Sequence, residues 1–168
     1  LAYAKKNPVL NDPNRILRLA NNRDYVWLAT GLIEALGESG TNIYADRDDI
    51  VNAVSPYLGK WDKYVDSSLF KALMRIGMHQ GTSNNTSQHI IKNILTPYIK
   101  DTSRPIERRV MASEAAINIS IESNVDVTDE LRNLMFDISK RYISKPLAQR
   151  DEDISYRSIY VLGSLALL

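Results

Sequence analysis

Two histidines, one knot of arginines and one acidic run are the groups in this sequence whose types and spacing could do chemistry. His79 and His89 flank the stretch Gly81-Thr82-Ser83-Asn84-Asn85-Thr86-Ser87, and a loop there would bring two imidazoles together. Two histidines without an acidic neighbour leave a zinc-like ion short of ligands. The chain has no cysteine, which removes thiolate ligands, disulfides and thiol nucleophiles together. Both histidines therefore read as solvated residues at helix ends, and neither a metal nor a cofactor is expected.

Arg104, Arg108 and Arg109, with Lys100 just before them, form the densest basic cluster. Guanidinium groups so spaced could grip a phosphate or the carboxylates of a partner. Asp101, Glu107 and Glu114 lie close by in sequence and can neutralise them, so ordinary ion pairs are the stronger expectation. Cations at a helix start oppose its dipole, and that unfavourable placement keeps the cluster a candidate. Asp46, Asp48 and Asp49 read as the acidic first turn of a helix. No Gly-rich phosphate loop, nucleophile elbow, HExxH or spaced carboxylate pair is present, so no enzyme is expected. Asn84-Asn85-Thr86 and Asn85-Thr86-Ser87 match the glycosylation tripeptide by chance, since the sequence shows no secretory signal.

The elements that must position these groups read as helices throughout. With 168 residues, 44% hydrophobic and 24% charged, the chain suits one packed domain and excludes wholesale disorder. Its net charge of +1 lacks the basic excess of a dedicated nucleic-acid domain. No run approaches the roughly 20 apolar residues of a membrane span, and the amino terminus lacks a signal-peptide core. A cytoplasmic protein without a membrane partner is expected.

Apolar residues at helical spacing, broken by polar turns, predict helices over 14–20, 24–36, 46–58, 66–78, 88–99, 105–121, 129–143 and 154–168. Residues 38–42 and 81–87 read as loops, and 144–151 as a long connector. Gly37 and Gly59 stop their helices, Pro105 suits a first turn, and Thr128 opens the seventh helix. Trp27 falls on a core face.

These helices repeat. Ile50-Val51-Asn52-Ala53-Val54-Ser55-Pro56-Tyr57-Leu58 aligns with Ile91-Lys92-Asn93-Ile94-Leu95-Thr96-Pro97-Tyr98-Ile99 at an offset of 41. A weaker third copy places Asn133 forty residues after Asn93. Leu69, Ala72, Leu73 and Ile76 align with Ala112, Ala115, Ala116 and Ile119 at 43, and these with Tyr160, Gly163, Ser164 and Leu167 at 48. A period of about 40 residues built from helix pairs is that of HEAT and armadillo arrays.

The pattern resembles the HEAT-repeat family on these residues. Pro56 and Pro97 look like the family's first-helix kink proline. Asp153 and Arg157 resemble its second-helix aspartate and arginine, and Arg109 the matching arginine one repeat earlier. The pattern departs where Asp137 stands in place of a third proline. The resemblance implies an all-α fold: a right-handed α-solenoid of about four helix pairs, spanning 1–168 as a single domain cut from a longer array.

It implies as well a scaffold or adaptor that presents a surface to a partner protein. In such arrays the second helices line the concave face, which makes Glu34, Lys71, Arg75, Arg108, Glu114, Asn118 and Arg157 groove candidates, beside the Arg104–Arg109 cluster. Trp61 and Tyr64, in the turn before the fourth helix, could anchor a partner. The alternatives are nucleic-acid binding, with DNA-glycosylase-like chemistry at its furthest reach, and a structural assembly segment. The last helix is apolar nearly all round, and self-association through it is the remaining expectation.

Overall fold

The computed structural model describes residues 31, 33–35, 47–60 and 62–167. The expected first helix pair, the 38–42 loop and Trp27 lie outside them, apart from a helical stretch at 33–35, and so does Trp61. The described residues are all-helical and contain no strand. In chain order they form α1 (Arg47–Val54), a 3-10 turn (Ser55–Tyr57), α2 (Lys63–Met78), α3 (Asn84–His89), a π turn (Ile90–Leu95), α4 (Thr96–Lys100), α5 (Ile106–Ser123), α6 (Asp129–Ile143), a second 3-10 turn (Leu147–Gln149) and α7 (Glu152–Leu165). The chain divides into two compact units after Ile76.

In the first unit, Pro56 sits inside the 3-10 turn, where its fixed φ and missing N–H suit a tightened helix end. Gly59 follows with φ 77°, a left-handed conformation open to glycine at little cost. Its N–H donates to Asp66 Oδ1 at 2.8 Å, so a fully buried side chain of α2 catches the end of the preceding segment. The start of α2 is held by Asp62, which accepts from the backbone N–H groups of Tyr64 and Val65. Val65, Leu69, Leu73 and Ile76 form its buried face.

In the second unit, α7 packs on both α5 and α6, and α5 also packs against α6, α4, α3 and the π turn. The core joins Ile90, Leu95 and Ile99 with Val110, Ala116 and Ile119, then Met135 and Tyr142, then Ile154 and Val161. The termini follow side-chain caps: Thr128 accepts from Leu131 N, and Asp151 from Asp153 N and Ile154 N. Gly77 marks a close approach, since a Cβ there would fall 2.8 Å from the Ile119 side chain.

The expected loop at 81–87 ends earlier than its composition implies. A helix begins at Asn84, with Ser83 as N-cap accepting from Thr86 N at 3.1 Å. Thr86 and Ser87 are buried, and Ser87 Oγ donates to the Gly77 carbonyl at 2.8 Å. Ser, Asn and Thr favour helix starts as well as loops, and here the cap wins.

The π turn prepares for Pro97, whose missing N–H an ordinary α-helix could not use. Thr96 N–H reaches back to the Ile91 carbonyl, five residues earlier, and Thr96 Oγ1 donates to the same oxygen at 2.8 Å. The wider turn thus satisfies a carbonyl and lets the helix run on to Lys100.

Candidate binding surface

The basic cluster forms where α4 ends, α5 begins and α6 ends. Asp101 organises the α4–α5 turn. It accepts from Ser103 N and Ser103 Oγ, and from Arg104 Nε at 3.0 Å. The Ser103 hydrogen bonds, reinforced by Arg104, hold its carboxyl below the usual range. The Arg104 guanidinium also lies over the Tyr98 ring, 5.0 Å from its centre.

Arg109 is buried, with 8% exposure. Its Nε donates to the Ile99 carbonyl at 2.7 Å, covering an oxygen that the end of α4 would leave without a partner. Burial lowers the Arg109 pKa, and the nearby Arg141 charge adds to the effect. Arg108 is half-buried. Lys100 pairs with Glu130 at 2.8 Å. Lys145 pairs with Glu107 at 2.8 Å and covers the Tyr142 ring at 4.6 Å.

Glu114, Asn118 and Arg157, expected to line a groove, are joined in a polar seam between α5 and α7. The Arg157 guanidinium bonds the Glu114 carboxylate through Nη1 and Asp153 Oδ2 at 2.8 Å through Nε. Tyr160 OH donates to Asn118 Oδ1 at 2.6 Å, and Asn118 Nδ2 to the Glu114 carbonyl. Burial alone pushes the Arg157 pKa down. The hydrogen bonds and charges of Asp153 and Glu114 outweigh it and leave the value raised. These side chains tie helices together, which leaves them little capacity for a partner.

In the first unit, Glu34 accepts from Ser68 Oγ at 3.1 Å and from Lys71 Nζ at 3.4 Å. Arg75 is half-buried, and Tyr64 is exposed with Lys63 over its ring. Each histidine makes a local hydrogen bond through Nδ1: His79 accepts from Gly81 N, and His89 pairs with the Asn93 amide. No group of three or more potential metal ligands occurs among the described residues.

Among the exposed large apolar side chains, only Tyr64 was an expected anchor. Leu147, Tyr156, Ile159 and Leu167 are the most exposed, with Tyr156 at 70% and Ile159 at 62%. The nearly all-round apolar character of the last helix was the signal for Ile159 and Leu167, and Leu147 lies in the connector before it. The seam joins complementary pairs far apart in sequence, Glu114 with Arg157 at 43 residues and Asn118 with Tyr160 at 42. No helix among the described residues is long and apolar enough to cross a membrane. Comparison with protein-family models, curated proteins and solved structures finds no match.

Proposed function

We propose that the chain is a HEAT-like helical-repeat module, a right-handed α-solenoid of helix pairs that binds a partner protein and catalyses nothing. The observation that supports this reading is the seam between α5 and α7, two helices that the reading takes as second helices of successive pairs, joined by Glu114 with Arg157 and Asn118 with Tyr160. With Glu114, Asn118 and Arg157 committed to the seam, the partner surface shifts to the exposed Tyr156 and Ile159 on α7 and the neighbouring Leu147. Aromatic and aliphatic side chains held on a rigid helix lose little conformational freedom on binding and dominate interface energetics.

The test is capture from nuclease-treated native lysate on the immobilised chain, beside a Tyr156→Asp/Ile159→Asp variant. A protein held by the parent chain and lost with the variant is expected. Recovery of nucleic acid alone, or a protein retained equally by the variant, would overturn the reading.

A further inference from the structure

We propose that two copies of the chain pair through the exposed face of α7, the two helices crossing antiparallel about Val161. The inference rests on the reading of α7 as a binding surface and names a second copy of this chain as its occupant. Self-pairing then competes with the partner protein for one surface.

One face of α7 is already in use. Ile154, Ser158, Val161 and Ser164 are buried, where the helix packs on α5 and α6. The other face carries Tyr156, Ile159, Gly163, Ala166 and Leu167, all exposed. Their spacing of three and four residues lines them along one side of the helix. These residues offer roughly 500 Å² per copy, so that a pair buries about 1,000 Å², the lower bound for a specific interface.

The charge pattern favours a second copy. Between Ile154 and Leu167 the only charged residue is Arg157, and its guanidinium is held by Glu114 and Asp153 in the seam. A two-fold interface sets a patch against itself, so a patch of one sign repels its own copy. This face carries no such charge. The acidic first turn, Glu152 and Asp153, fixes the direction. Parallel helices would set these acids side by side, whereas antiparallel helices hold them at opposite ends of the pair.

Shape points the same way. Gly163 lies inside α7, where glycine costs backbone entropy, and nothing within the chain demands it, since an added Cβ would meet no heavy atom within 4 Å. Gly77 shows what a covered helical glycine does: the Ile119 side chain lies 2.8 Å from the place of the missing Cβ, seated against bare backbone. An antiparallel crossing about Val161 sets Ile159 of each copy on Gly163 of the other, and Tyr156 over Ala166. Each large side chain meets a small residue, and the arrangement is its own complement.

The test is sedimentation of the full chain from about 1 μM to about 1 mM, a range that brackets a dimer dissociation constant on the order of tens of micromolar. Gly163→Ala isolates the claim, because its methyl group has room in the single chain and collides with Ile159 in the pair. It should weaken the dimer about tenfold, while the thermal midpoint of the dilute chain holds or rises. The direction is read with spin labels. The chain has no cysteine, so Glu152→Cys takes one label per copy. Pulsed electron paramagnetic resonance should then place the two labels about 27 Å or more apart, against about 10 Å for a parallel pair.

A monomer at every concentration, a dimer untouched by Gly163→Ala, or labels at the shorter distance would each overturn the proposal. Failure here is separable from failure of the broader reading. A purified chain that stays monomeric yet captures a different protein from lysate keeps the α7 surface and removes the second copy. A dimer dissolved by Gly163→Ala, beside a capture that yields no other protein, does the reverse.

Discussion

Asp66 and Arg109 stand 43 residues apart, at matching places in α2 and α5, and close a preceding helical segment by opposite means. Asp66 accepts the Gly59 N–H, whereas Arg109 donates to the Ile99 carbonyl. Each is buried, and each satisfies one backbone group that a helix end would otherwise leave bare. Two positions 43 residues apart thus both hold a tie, and the two ties carry opposite charge. The difference follows from the prolines. The Pro56 segment stops in a 3-10 turn and a left-handed glycine, which turns an N–H toward α2. The Pro97 segment widens into a π turn and continues, which presents a carbonyl to α5 instead.

The sharpest way to break this comparison is to remove each tie. Asp66→Leu removes the carboxylate that accepts the Gly59 N–H from a fully buried position and should lower stability by about 3 kcal/mol in urea unfolding followed by circular dichroism. Arg109→Leu should cost less, about 1–2 kcal/mol, because a carbonyl tolerates the loss of one donor better than a lone N–H tolerates loss of its acceptor. Equal costs would show that the two positions are held by packing alone.

A smaller effect separates the two prolines. Thr96→Val removes the hydroxyl bond to the Ile91 carbonyl and should cost about 1 kcal/mol. Its counterpart Ser55→Ala, at a half-buried position that opens the 3-10 turn, should change the unfolding midpoint much less.

The smallest effect is electrostatic and concerns the turn that follows only the second proline segment. The Asp101 carboxyl is held below its ordinary value of 3.8. Its contribution is therefore complete above that value and lost as pH falls through the lower folded-state value. The Tm difference between the parent chain and Asp101→Asn should be steady at neutral pH and shrink in strong acid. A difference that grows on acidification would reverse the assignment.

The helices were legible in the sequence wherever caps and periodicity agreed. The expected 129–143 helix coincides with α6 because Thr128, Asp129 and Glu130 mark its start, and its apolar face leaves no rival period. The start of α3 was not legible. Ser83 and its neighbours have loop-like composition, and only the burial of Ser87 against the Gly77 carbonyl distinguishes a cap from a coil. The proline pattern located the irregularity at Pro97 but not its sense, since tightening and widening both relieve a missing donor.

The candidate site was legible by residue type and less so by role. The arginine cluster falls where the sequence concentrates it. Its division into a buried tie at Arg109 and a stacked ion pair at Arg104 depends on where α4 happens to end. Trp61 lies outside the described residues.

The π turn has one more consequence. A π turn holds one residue more than the α-helical turn it replaces, so Ile90–Leu95 is a place where the chain length can change by one. A single deletion there would let the backbone close in ordinary α-helical register. The same deletion inside α6 would rotate every later apolar side chain by about 100° and turn the core face toward water. Related sequences that differ in length would be expected to gain or lose a residue just before this proline.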